Sequence, residues 1–222
     1  AMTHQGSAVV HQRSPAVELL PTGRSLSAAT GPVGAVTILT AACANRLCSA
    51  GRGQPGPATH LQSVQATVKM ANASSKDRNY AYIPDCSDLP VEEDTDYVYI
   101  CENETIHGTT WQKLPDTKGK PLVSDQSSMF LSKPCNVSDY GMIYAGVQKN
   151  VGPAGMVIAI IREDLIREDL DPKTPIYMMY KTHADAGSMY NTPNCWAIYV
   201  CGKVFKYLKS LGGLTAMQRI NE

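Results

Sequence analysis

Lys149 stands between Gln148 and Asn150 in YAGVQKNVGPAG, directly after an apolar run and directly before a glycine-proline turn. Upstream, Asp125 closes a second apolar run, PLVSD. A lysine pressed against an apolar strand end is partly desolvated, which favours the neutral amine and lowers its pKa from about 10.4. A neutral amine is a nucleophile and can form a Schiff base with an aldehyde cofactor. A carboxylate at a neighbouring strand end can hold a pyridine nitrogen protonated, so that the ring withdraws electrons. By spacing alone, a lysine after a strand is more often an ordinary surface charge. Other familiar sites are missing: there is no GxSxG elbow, no GxxxxGK[ST] loop and no GxGxxG after a strand.

Those two groups need strands to carry them. YVYIC (97–101), PLVS (121–124), GMIYAGV (141–147) and GMVIAIIR (155–162) are short β-rich runs bounded by Gly, Pro, Asn or Asp. The near-continuous apolar character of MVIAII predicts a strand buried on both faces, in a sheet covered by helices on each side. Toward the C-terminus, Thr192 and Pro193 read as N-cap and first helical residue of a long helix, which Gly212 and Gly213 stop. A second helix begins in LTAMQRINE. The doubled IREDL at 161–170 reads as a solvated strand exit and helix start.

The chain divides near residue 66. Residues 1–66 hold no Lys, no Asp and no aromatic residue, and bury too little area to offset their ordering entropy. They read as disordered or as not native to the fold; an Arg-bearing, Ser-rich transit peptide is the third possibility. From Lys69 onward, sixteen basic residues face nineteen acidic ones, and the pattern is globular. Over the whole chain twenty basic and twenty acidic residues cancel, which leaves no electrostatic footprint for nucleic acid or an anionic membrane. The longest apolar stretch, VGAVTILTAACA (33–44), is too short to cross roughly 30 Å of hydrocarbon. Seven cysteines with no CxxC pair and no zinc spacing read as reduced, mostly buried thiols, and no metal site is expected.

The local sequence is more specific than any spacing. NETIHGT (103–109), KPLVSDQSSMFLSKP (120–134), YGMIYAGVQKNVGPAGMVIAIIREDL (140–165), YKTHADAGSMYNTP (180–193) and GGLTAMQRIN (212–221) resemble the phosphoserine aminotransferases, in the class V group of fold-type I pyridoxal-phosphate enzymes. The resemblance is close to continuous over residues 67–222. It implies an α/β fold: part of a pyridoxal-phosphate-binding large domain, with a mixed, mostly parallel sheet and helices on both faces, truncated at both ends. It implies pyridoxal 5′-phosphate as cofactor and amino-group transfer between L-glutamate and 3-phosphohydroxypyruvate, giving O-phosphoserine and 2-oxoglutarate. A cytoplasmic homodimer with shared active sites goes with that, a plastid being the minor alternative.

Residue by residue, the resemblance makes Lys149 the catalytic lysine and pairs Asp125 with the pyridine nitrogen. Gln148 matches a contact to the cofactor phosphate and Thr105 a contact to its O3′ side. Asn191 and Thr192 match residues that reach the phosphate in the partner subunit's site. His107 and His183 lie inside matching blocks and are expected to be structural. Three family features are not found in residues 1–66: a glycine-rich turn for the phosphate, a tryptophan that stacks on the ring and an N-terminal His-Arg pair. A further substrate arginine belongs to a small domain beyond the matched region. A second reading therefore stands beside the enzyme: a catalytically silent fragment that folds partly and at most dimerises.

Overall fold

Four short runs of β-branched and aromatic residues form strands where the pattern places them, and a sheet assembles around them. In the computed structural model of the chain, residues 11–12, 36–39, 78, 81–86, 89, 91, 93, 95–170, 172 and 174–222 are described. The strands are β1 (His11–Gln12), β2 (Val36–Leu39), β3 (Val98–Cys101), β4 (Asn103–Glu104), β5 (Thr109–Thr110), β6 (Leu122–Asp125), β7 (Met142–Gly146) and β8 (Val157–Ile161). Six of them form one sheet in the order β1-β2-β8-β7-β6-β3, and β4 and β5 form a separate hairpin. The junctions β3–β6 and β6–β7 are parallel; those of β7 with β8, β8 with β2 and β2 with β1 are antiparallel. The sheet is thus mixed, and four of its six strands (β2, β3, β6 and β7) run the same way. Apart from β1 and β2, the expectation for residues 1–66 lies outside the described residues.

β7 and β8 carry the core. Alternation along β7 sends Ile143 and Ala145 to one face, where Ile158, Val147, Val151 and Met156 join them. Tyr144 faces the other way with Val157, Ala159 and Ile161. Val157, Ile158, Ala159 and Ile161 are all buried, as a strand covered on both faces requires. Burial of each such Val or Ile side chain contributes about 1.5–3 kcal/mol relative to exposure.

Helices cover both faces. Helix α1 (Tyr180–Asp185) packs Tyr180 against the Tyr144 face; helix α2 (Cys195–Ser210) packs Ala197, Ile198, Cys201 and Phe205 against the Ile143 face. Helix α3 (Gly213–Asn221) follows at once, because Gly212 at φ +102° ends α2 in a left-handed turn that a Cβ would strain. The start of α2 differs from the sequence expectation. Its cap is Asn194, whose side chain accepts the Ala197 N–H at 3.1 Å, so Thr192 and Pro193 precede the helix. Asparagine satisfies the orphan amide as well as threonine would, and two residues closer to the apolar stripe.

Two smaller expectations also change. Among the five described cysteines, all free, only Cys201 is buried; Cys101 and Cys195 are exposed. The IREDL repeat leaves the sheet as a short 3-10 turn, Glu163–Leu165, with no α-helix start. Each copy forks an arginine onto the aspartate two residues on, Arg162 to Asp164 and Arg167 to Asp169. Among the described residues no helix is long and apolar enough to cross a membrane.

Candidate active site

Parallel neighbours β3, β6 and β7 end at one edge of the sheet, since Cys101, Asp125 and Tyr144 are in register. The carboxyl ends of adjacent parallel strands are where α/β sheets bind ligands. Thr105 lies just past β3, Asp125 ends β6, and Gln148 and Lys149 follow β7.

Asp125 is half-buried, on the same face of the sheet as Tyr144. Its Oδ1 accepts the Ser127 N–H at 2.8 Å and the Ser127 hydroxyl at 2.6 Å. That closes an Asx turn and fixes the carboxylate. Ser127 Oγ in turn accepts the Gly146 N–H at 2.9 Å, which ties the end of β6 to the end of β7. Oδ2 has no hydrogen-bond partner among the described residues. One carboxylate oxygen is locked and the other is free to accept a ligand N–H.

Beyond Gly146 the chain makes a single helical turn. Val147 O accepts the Val151 N–H at 3.0 Å and the Gly152 N–H at 2.8 Å, while Val147 N donates to Met156 O at 3.2 Å. Val147 and Val151 are both fully buried, one turn apart, and this pair decides where the residues between them point. Gln148, Lys149 and Asn150 are exposed. The expectation that Lys149 is desolvated against the strand therefore fails within this chain: the valines occupy the apolar side. Lys149 Nζ makes no hydrogen bond or ion pair among the described residues. The Gln148 amide folds back over Gly146, where a Cβ would lie 2.8 Å from Oε1. Gly146 thus makes room for Gln148 beside Ser127 and Asp125.

Thr105 sits at the exposed tip of the β4–β5 hairpin, and its hydroxyl has no partner among the described residues. The hairpin is anchored, not loose. Asn103 Nδ2 donates to Ser128 Oγ at 2.7 Å, Ser128 Oγ donates to Asn103 O at 2.9 Å, and Thr110 Oγ1 donates to Asn103 Oδ1. Glu104 accepts the Ile106 and His107 N–H groups at 3.1 and 2.7 Å. These backbone bonds, then the His107 ring at 2.8 Å, hold its carboxyl below the usual range. His107 thus has a local structural partner. So has buried His183, whose Nε2 lies 2.8 Å from Tyr177 O.

Asn191 and Thr192 are not bonded to these four residues. Asn191 Oδ1 accepts the Tyr177 hydroxyl at 3.2 Å, and its Nδ2 donates to Thr192 O at 3.1 Å. Their segment does approach the turn that follows Lys149: a Cβ on Gly155 would meet Asn194 Nδ2 at 2.8 Å. No cluster of three or more metal-ligating side chains occurs among the described residues.

Sequence reasoning passed over Ser127 and Glu102. The D-x-S spacing of Asp125 and Ser127 is an Asx-turn signal and could have revealed the first. Glu102 looks like any polar residue at a strand end. It is in fact 3% exposed, and its carboxylate accepts Ser124 Oγ at 2.9 Å, Gln126 Nε2 at 2.8 Å and the Tyr140 hydroxyl at 3.0 Å. Burial first, then the Glu102 charge, holds the Tyr140 phenol protonated well above its ordinary range.

Known proteins are similar to this chain in sequence and fold. A phosphoserine aminotransferase of Lysinibacillus sphaericus is 48% identical over 150 residues, 68% of this chain and 41% of the relative. One of Nitrosomonas europaea is 48% identical over 189 residues, 76% of this chain and 51% of the relative. Among solved structures, a phosphoserine aminotransferase of Bacillus circulans subsp. alkalophilus superposes with TM-score 0.63 and 36% identity, covering 66% of this chain and 40% of that one. The PLP-bound phosphoserine aminotransferase of Trichomonas vaginalis gives TM-score 0.60 and 41% identity, over 64% and 41%. The chain spans about two fifths to half the length of these relatives. The aminotransferase class-V family profile matches residues 57–222, and with that match, three quarters of its length, the chain belongs to the class-V aminotransferases.

Proposed function

We propose that the chain is the lysine-bearing part of a phosphoserine aminotransferase, transferring the amino group of L-glutamate to 3-phosphohydroxypyruvate. One observation carries this: three adjacent parallel strands bring Thr105, Asp125 and Lys149 to one sheet edge, each with a functional group unclaimed among the described residues. When bound, pyridoxal 5′-phosphate supplies an aldehyde that takes up an amine and a pyridine ring that withdraws electrons. Asp125 fits that ring, because its free Oδ2 can accept the N–H of a protonated pyridine while Ser127 holds Oδ1. Lys149 would hold the cofactor through Nζ and, once displaced by substrate, take up and return the proton at the substrate α-carbon. The Thr105 hydroxyl would donate toward O3′ and the Gln148 amide toward the phosphate. Asn191 and Thr192 would serve the phosphate of a second subunit, which makes the working form a homodimer. A cytoplasmic location accords with free cysteines.

The second reading is a catalytically silent fragment that folds partly and at most dimerises. One experiment separates the two. The chain is mixed with pyridoxal phosphate, its visible absorbance recorded, borohydride added and the modified residue located by mass. The enzyme reading expects a borohydride-sensitive band and a label on Lys149, both lost in Lys149→Ala. A label spread over surface lysines, unchanged by that substitution, refutes it. Amino transfer between glutamate and 3-phosphohydroxypyruvate, against alanine as donor, then tests the substrates.

A further inference from the structure

We propose that Glu102 is a positioning residue, whose buried carboxylate clamps the end of β6 from the far face of the sheet and so aims Asp125. Strand alternation puts Ser124 and Gln126 on the face opposite Asp125. Both donate to Glu102 Oε2, at 2.9 and 2.8 Å, and both are nearly or wholly buried. The Glu102 N–H donates to the carbonyl of Asp125 itself at 3.0 Å. Tyr140, which precedes β7, donates to the same carboxylate at 3.0 Å, and Gln126 N donates to Tyr144 O at 2.9 Å. The side chains on either side of Asp125 are thereby held on one carboxylate, and the Asp125 carbonyl on the same residue's N–H. Glu102 touches neither Asp125's carboxylate nor the open edge; it acts through its neighbours. An aspartate at a strand end would otherwise follow the flexible turn after it, and a carboxylate that must meet a ring nitrogen has to be held within about half an ångström.

The inference rests on Asp125 facing the ring nitrogen, and its test keeps the two claims apart. Pyridoxal phosphate affinity and absorbance are measured on the full chain for wild type, Glu102→Gln, Glu102→Leu, Asp125→Ala and the Glu102→Leu/Asp125→Ala double variant. Backbone amide exchange at Ser127 and Gly146 is followed in the same set without cofactor. Gln keeps the acceptor and should stay within about threefold of wild type. Leu should weaken binding about tenfold or more, shift the band, and speed exchange at Ser127 and Gly146 about tenfold. In the Asp125→Ala background Leu should cost no further affinity, because its effect passes through Asp125. Gln126→Met, which cuts one of the three bonds, gives the same comparison should Leu not fold. Equal losses in both backgrounds, or unchanged Ser127 and Gly146 exchange, overturn the proposal. Wild-type binding by Asp125→Ala overturns the role of Asp125 instead. A chain that binds no cofactor is judged on the exchange data and the Gln rescue.

Discussion

Gly152, three residues past Lys149, is where the lysine turn rests on helix α2, and it gives the sharpest test of how that turn is held. A Cβ built there would lie 2.6 Å from Cys201 Sγ, with the next nearest atoms, Cys201 N and Cα, at 3.7 Å. Cys201 is 1% exposed, so its sulfur has little room to turn away. Gly152→Ala should therefore cost about 1–3 kcal/mol by overpacking. Cys201→Ala removes one sulfur and should cost about 1 kcal/mol. In the double variant the new Cβ meets nothing closer than 3.7 Å, ordinary van der Waals contact. The pair should then be no less stable than Cys201→Ala alone, a coupling of about 1–3 kcal/mol. Alanine's lower unfolded-state entropy, worth about 0.4–1 kcal/mol, enters both arms equally and cancels in the cycle. Urea unfolding followed by far-UV circular dichroism measures all four proteins. Losses that add to within about 0.5 kcal/mol would refute the packing account.

Other consequences follow from single contacts. Burial first, then the Glu102 and Asp139 charges, pushes the Cys135 thiol up to about 11 from an ordinary 9.0. The folded chain thus keeps a proton that the unfolded chain releases; this stabilisation is full below pH 9 and is lost between pH 9 and about 11. The loss should amount to about 2–3 kcal/mol relative to Cys135→Ala, read from urea midpoints across that range. Exposed Cys101 and Cys195 should alkylate with iodoacetamide at pH 8 before Cys135 and buried Cys201, and reaction in the reverse order would contradict the packing. Asn194→Ala should lower stability by about 1 kcal/mol through the lost cap, with Asn194→Asp restoring most of it. Ser127→Ala removes the hydroxyl bond to Asp125 Oδ1, leaving only the backbone one, and frees the Gly146 N–H, and should weaken pyridoxal phosphate binding more than Ser128→Ala, which loosens only the Thr105 hairpin.

What could be read in advance was set by periodicity and by local motif. β3, β6, β7 and β8 are legible because burial on one face or two stamps a pattern on four or five residues, and the pattern survives whatever the neighbours do. The exposure of Lys149 was not legible. It depends on Val147 and Val151 closing one helical turn, and a turn of that length shows no period in the sequence. The start of α2 moved by two residues because Thr192 and Asn194 are both good caps, and only the Ala197 N–H, fixed by packing, chooses between them. Glu102 shows the deeper reason. Its partners Ser124, Gln126 and Tyr140 are 22, 24 and 38 residues away in the chain. No local rule connects a glutamate to a serine on the next strand; parallel pairing does, by placing Cys101 beside Asp125. A parallel sheet brings distant strand ends to one edge, so the groups that meet a ligand can be recognised from their own short motifs. The groups that hold them steady are written on the neighbouring strand, and only the register reveals them.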